Sequence, residues 1–175
     1  MVLKLLIFFL ILLVTQCDRC KEEVIPVAEI DQLPPATQSG KFTFGCLING
    51  KAFVQKNSIK MSAIYQQDFI QFGADDVINA ITEQIYIGIP NPIEINIRYG
   101  FTKYSNNKAR FISYGSTNNT TCYYDFNNTL NGHVIFTRLD RQKFIVSGTF
   151  EFTTVVPGCD TIRITDGRFD MQYIP

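Results

Sequence analysis

The chain has 175 residues, with 16 Lys and Arg against 16 Asp and Glu, five cysteines and a single histidine. That length buries a sizeable core without metals or dense disulfides. The charge balance excludes a strongly basic nucleic-acid surface. One histidine leaves little for a zinc site of the usual composition or for a Ser-His-acid triad.

At the N-terminus a single charge, Lys4, precedes the apolar run Leu5 to Val14. As a helix these ten residues rise only about 15 Å, too short for a hydrocarbon core of about 30 Å. The pattern predicts an export signal over residues 1–16. The residues before Cys17, Val14-Thr15-Gln16, resemble the lipobox of bacterial lipoproteins. That resemblance implies a lipidated Cys17 and, as partner, a membrane held through the anchor. Each buried methylene contributes roughly 0.8 kcal/mol, so several acyl chains hold where one does not. Gln16 is bulkier than the small residue usual before a cut, and plain secretion is the alternative. Cys20 falls in the linker as a free thiol. Lys21-Glu22-Glu23 resembles the acidic export tag of Bacteroidota lipoproteins, which implies the outer membrane, on its surface or its periplasmic side. The alternative is a solvated charged linker.

Residues 17–40 carry no sustained period. Pro26, Pro34 and Pro35 resist helix and ladder pairing, so the segment reads as an extended tether before a domain at 41–175. From Lys41 onward, period-2 alternation dominates. Phe42, Phe44, Cys46 and Ile48 share a face, and Asn49-Gly50 is a two-residue hairpin signal. Ile59, Met61, Ala63 and Tyr65 alternate, as do Ile85, Ile87 and Ile89. The segment Ile93 to Phe101 gives the clearest alternation, with Ile93, Ile95, Ile97, Tyr99 and Phe101 inward. Between Asp75 and Gln84 the apolar residues Val77, Ile78 and Ile81 have helical spacing, which predicts one short helix.

In the last segment, Ile162 and Ile164 are even-numbered whereas Phe169, Met171 and Tyr173 are odd. Parity flips across Asp166-Gly167. Either a type I′ hairpin or a bulge produces the flip, and the bulge is favoured because it leaves one long closing strand. The expected fold is all-β: an antiparallel meander of about ten strands, as a β-sandwich or a partly open barrel, with at most one short helix.

Few residues carry chemistry. His133 stands at the start of a strand, with no nucleophile motif to serve. Cys122 and Cys159 lie at loop–strand junctions and form a possible disulfide in an exported chain. Cys46 reads as a small buried hydrophobe. Asp75, Asp76, Asp125, Asp160, Asp166 and Asp170 are scattered, so no metal site is expected. Tyr99, Tyr104, Tyr114, Tyr123 and Tyr124 either form an aromatic binding surface or follow sheet propensity. Asp160-Thr161-Ile162 resembles the O-glycosylation motif of exported Bacteroidota proteins, which implies possible O-glycosylation of Thr161.

Three segments resemble a family of uncharacterised Bacteroidota outer-membrane lipoproteins: Leu33 to Phe53, Val146 to Thr153 and Ile164 to Tyr173. The resemblance implies a β-domain on the cell envelope and brings no catalytic or binding residues. The functional expectation is a lipid-anchored, non-catalytic binding or structural module that needs no cofactor and contacts no nucleic acid. Its protein or glycan partner is unknown. Two alternatives stand beside it, a lipocalin-like carrier of a small apolar ligand and an envelope hydrolase using carboxylates.

Overall fold

The structure is a computed structural model that describes residues 26–78, 81–115 and 122–175. The export signal, Cys17, Cys20 and the acidic tag lie outside the described residues.

Strand β1 (Thr43–Ile48) turns into β2 (Lys51–Gln55) through Asn49 and Gly50, at φ of 49° and 84°. Two consecutive left-handed residues make the type I′ turn that an Asn-Gly pair favours. The next strands are β3 (Met61–Gln66), β4 (Phe69–Ile78) and β5 (Ile81–Pro90). A short β6 (Arg98–Gly100) precedes β7 (Lys108–Gly115) and β8 (Cys122–Tyr124). The long strands β9 (Thr129–Asp140), β10 (Ile145–Thr154) and β11 (Ile162–Gln172) complete the fold.

They form two antiparallel sheets, one in the order β2-β1-β11-β10-β9-β6 and the other β3-β4-β5-β7-β8. The chain is therefore the expected all-β sandwich, and it does not close into a barrel. The one-sided alternation explains why two sheets form: each has one apolar face to hide. Ile70, Phe72, Ala74, Ile85, Ile87, Ile89, Ala109 and Phe111 come from the five-stranded sheet. Phe44, Cys46, Val134, Phe136, Phe150, Phe152, Phe169 and Met171 meet them from the other. The Phe72 ring lies 4.2 Å from Phe169 and 5.9 Å from Phe136, centroid to centroid, so rings from both sheets interlock across the interior.

The sheets are tied along both sides. On one, Ile174 bridges to Ile64, with Tyr65 N donating to Ile174 O at 2.8 Å and Ile174 N to Ala63 O at 2.9 Å. On the other, a disulfide joins Cys122 of β8 to Cys159 in the β10–β11 loop.

The parity flip is a bulge in a single closing strand. β1 pairs Gly45 with Arg168 and Leu47 with Thr165, so Asp166 and Gly167 together oppose Cys46. Asp166 takes the left-handed conformation that begins the bulge, φ 54°.

Three expectations are corrected. No helix spans Asp75 to Gln84: β4 and β5 pair as a hairpin there, Val77 opposite Thr82 and Ile78 opposite Ile81. The helical spacing arises because it counts residues from two paired strands. Second, the alternation from Ile93 to Phe101 yields only β6, with Ile95 and Ile97 exposed. Pro90 and Pro92 donate no ladder bonds, and Asn96 at φ 64° turns the chain out of strand geometry. Third, residues 29–40, expected as tether, are held against the sandwich.

This strap crosses the outer face of the six-stranded sheet. Glu29 Oε2 accepts from Ala52 N on β2 at 2.7 Å. Leu33 and Pro34 are buried, and Pro34 fits over Gly45, where any β-carbon would sit 2.5 Å from its Cδ. Arg168 on β11 and Arg138 on β9 donate to the carbonyls of Pro34 and Gln38. Thr37, Ser39, Gly40 and Lys41 all donate to Asp170.

Candidate functional site

The strap crosses one outer face of the sandwich and leaves beside it an open hollow of about 410 Å³ lined by Ala36, His133, Thr149, Glu151, Asp166 and Arg168. The outer face of the five-stranded sheet carries no such cover among the described residues, and its side chains form a strip. Alternation places Phe69 and Gln71 on it from β4, Tyr86 and Gly88 from β5, Arg110 from β7 and Tyr123 from β8. Phe126 joins from the 3-10 turn Phe126–Asn128.

Arg110 is the centre of the strip. Its guanidinium carbon lies 4.8 Å from the Tyr86 ring centroid and 5.1 Å from that of Phe126. Two aromatic faces therefore hold one cation. Nη1 lies 3.4 Å from Tyr123 Oη, and Nε has no hydrogen-bond partner although it is buried. The Phe69 ring reaches Gly88 with its tip, where a β-carbon would meet Cζ at 2.4 Å. The result is an open hollow of about 320 Å³ lined by Phe69, Gln71, Tyr86, Gly88, Arg110 and Phe126. A second, of about 240 Å³, is lined by Ile64, Gln66, Gln67, Phe69 and Gln71. The two share Phe69 and Gln71, so the strip runs from β3 to β7.

Of the two readings of the five tyrosines, the binding surface is not what their described side chains form. Tyr124 is buried, its hydroxyl donating to Asp160 O at 2.6 Å. Tyr99 clamps its own loop, accepting from Glu94 N and donating to Pro92 O. Tyr104 projects alone at 90% exposure, and the side chain of Tyr114 lies outside the described residues. Of these tyrosines with described side chains, only Tyr123 belongs to the strip. Phe69, Tyr86, Arg110 and Phe126 went unnamed by sequence reasoning, although the even-and-odd parity of β4 and β5 marks Phe69 and Tyr86 as outward aromatics.

The remaining expected residues sit elsewhere. Cys122 and Cys159 are joined, with Cα atoms 6.1 Å apart. Cys46 is the free thiol among the described residues, and burial foremost, with Glu83 nearby, pushes its pKa up. Thr161 is partly exposed just before β11, its carbonyl accepting from Asn49 Nδ2. His133 Nδ1 lies 3.2 Å from Glu151 Oε1 without making an aligned hydrogen bond. Burial, and then Arg98, hold His133 below its ordinary pKa despite Glu151, so the imidazole is neutral at pH 7.

Among the acids, Asp76 pairs with Lys60 at 2.8 Å, and Asp125 caps the Phe126–Asn128 turn. Asp76 is the direct cross-strand partner of Glu83, beside an open cleft of about 380 Å³ lined by Glu29, Ile48, Lys51, Phe53 and Glu83. Burial, and then Asp76, push the Glu83 pKa up. Burial also acts to raise Asp76, but hydrogen bonds from Lys60 and Val77 N outweigh it and bring the pKa down. Among the described residues no three His, Cys, Asp or Glu side chains converge as a metal site would require.

No family model, curated protein or solved structure matches the chain.

Proposed function

We propose that the chain is a lipid-anchored cell-envelope module that binds its ligand without transforming it, using the outer face of the five-stranded sheet. The carrying observation is the asymmetry of the two outer faces. One is crossed by the chain's own strap, with a polar hollow lined by His133, Thr149, Glu151 and Arg168 beside it, and the other presents aromatic rings around a cation. A module built only to fill space has no use for a half-buried Arg110 held between two rings. The disulfide supports an oxidising compartment, since such bonds are rare where thiols are kept reduced. The export signal and Cys17 supply the anchor in this reading. A carrier of an apolar ligand needs an empty interior, whereas here the rings of Phe72, Phe136 and Phe169 fill that space.

Metabolic labelling with an alkyne palmitate analogue tests the anchor. Label is expected on the wild-type chain and absent from Cys17→Ala; label that survives the substitution removes the anchor from the reading.

A second reading has its own observation. Asp76 and Glu83 are cross-strand partners whose surroundings push their pKa values apart, the arrangement that lets one carboxyl hold a proton while the other is ionised. An envelope hydrolase would use Glu83 as acid and Asp76 as base. Turnover of a panel of chromogenic glycosides and esters, lost in both Asp76→Asn and Glu83→Gln, would favour it. Wild-type protein that turns over none of them returns the pair to a structural role.

A further inference from the structure

We propose that one end of the sandwich rests on the lipid bilayer: the end formed by the β1–β2 turn, the 3-10 turn Ser58–Lys60 and the tip of the β4–β5 hairpin. The inference rests on the lipid anchor of the reading above and adds which part of the domain meets the membrane.

Contacts between the sheets bring these elements together. Ile48 and Lys51 of the β1–β2 hairpin line one cleft with Ile81 and Glu83 of β5. Glu83 opposes Asp76 on β4, and Asp76 pairs with Lys60 at 2.8 Å. Ile59 precedes that lysine and Val77 follows that aspartate, so the ion pair draws the two apolar residues to the same place.

The apolar side chains there are bare. Ile59 is 91% exposed, on a turn of three residues, and Val77 is 53% exposed. Ile81 is exposed beside them. Scattered single apolar residues on a surface are ordinary, whereas several on adjoining turns mark a contact. Lys51 and Lys56 stand exposed on the same end. Of the carboxylates nearby, Asp76 is paired with Lys60, and Glu29 accepts from Ala52 N. Apolar tips flanked by lysines suit the boundary between acyl chains and anionic headgroups.

The chain leaves the domain at this end. Glu29 lines the same cleft as Ile81 and bonds the second residue of β2. Nine residue steps separate Cys17 from Pro26, and fully extended they reach about 30 Å. Strand β4 runs ten residues, from Phe69 to Ile78 at this tip, and so is itself about 30 Å long. An anchor on that linker keeps the near end beside the headgroups. Laying the opposite end on the membrane, with Tyr104 and Phe144, requires the whole linker pulled straight along the domain. The strap sets this limit, because residues 29–40 are fixed to the sandwich and add nothing to the reach. Once the anchor is inserted the contact is intramolecular, so a few apolar side chains suffice where none would hold the domain from solution.

The test uses the lipidated full chain in phosphatidylethanolamine/phosphatidylglycerol vesicles that carry a nitroxide quencher at headgroup level. In a Cys20→Ser background, an environment-sensitive fluorophore is attached at Lys56→Cys, on this end, or at Tyr104→Cys, on the other. Vesicle flotation establishes the anchor, and thermal melts establish the fold, which exposed positions favour. Quenching at Lys56→Cys is expected to be about threefold stronger than at Tyr104→Cys. Adding Ile59→Ser/Val77→Ser should bring it down to the Tyr104→Cys level while the protein still floats. Equal quenching at the two sites in floating protein, or quenching at Lys56→Cys that survives the double substitution, overturns the docking end and leaves the anchor standing. Protein that does not float removes the anchor, and this surface falls with it.

Discussion

Five donors converge on Asp170: the hydroxyls of Thr37 and Ser147 and the backbone N–H groups of Ser39, Gly40 and Lys41. Burial alone would raise this carboxyl, but the hydrogen bonds outweigh it and hold its pKa down at about 2. The unfolded chain titrates near 3.9. A carboxyl depressed in the folded state contributes its stability fully above the unfolded value, and that contribution is lost as pH falls from about 4 toward 2. The difference amounts to about 2 kcal/mol for this nearly buried group. Asp170→Asn should therefore cost about 2 kcal/mol at pH 7. It should also flatten the acid limb of stability between pH 4 and 2, read from urea midpoints across that range. A variant as acid-sensitive as the wild type would show that the loss lies elsewhere. Asp170 was not legible in the sequence for a plain reason. Past the bulge, Phe169 and Met171 face inward, so Asp170 has the parity of a solvent-facing residue. Four of its five partners lie some 130 residues earlier in the chain, and pattern reading does not reach that far.

At the scale of elements, local alternation was readable wherever a strand runs without interruption. Ile85, Ile87 and Ile89 all point into the core, and Asn49-Gly50 makes its hairpin. Parity marked the flip at Asp166-Gly167 but fitted a hairpin as well as a bulge; the bulge, favoured because it leaves one long closing strand, is what forms. Alternation misled where the chain leaves strand geometry, at Asn96 with φ 64°. Helical spacing misled where the counted window spans two paired strands. The cross-links are elements of a different kind. Cys122 and Cys159 stand 37 positions apart, and closing a loop of that size contributes on the order of 3–4 kcal/mol. Cys122→Ser/Cys159→Ser should lower Tm by on the order of 10 °C. A reductant should bring the wild type down to meet the double variant and leave the variant unmoved. The strap has its own weak point at Gly45, where a side chain would displace Pro34. Gly45→Val should speed amide exchange at Ser39, Gly40 and Lys41, read by mass spectrometry, while the exchange of β4 and β5 stays slow. Equal acceleration across both sheets would mean that Gly45 serves the whole fold rather than the strap.

The strap changes what counts as the domain. Residues 29–40 lack period because they lie across a sheet instead of inside one, and their contacts are single side chains at each strand they pass. Glu29 reaches β2, Pro34 sits on β1, Thr37 bonds β11, and the carbonyl of Gln38 accepts from Arg138 on β9. A chain beginning at residue 26 keeps all of these, and one beginning at residue 41 keeps none from before Lys41. The shorter chain keeps only the Lys41 N and Ser147 Oγ donors, so it should lose most of the roughly 2 kcal/mol carried by Asp170, together with the burial of Leu33 and Pro34. The sharper expectation concerns coupling. If the strap and Asp170 form one device, Asp170→Asn costs about 2 kcal/mol in the chain that begins at residue 26 and much less in the chain that begins at residue 41, because most of the donors have already gone. Thermal or urea unfolding of the four proteins closes that double-mutant cycle. Additive losses would make the strap a loose covering whose hydrogen bonds to Asp170 are replaced by water at no cost. A coupling near 2 kcal/mol would make the domain begin at Glu29, with one outer face crossed by its own chain and the other left bare.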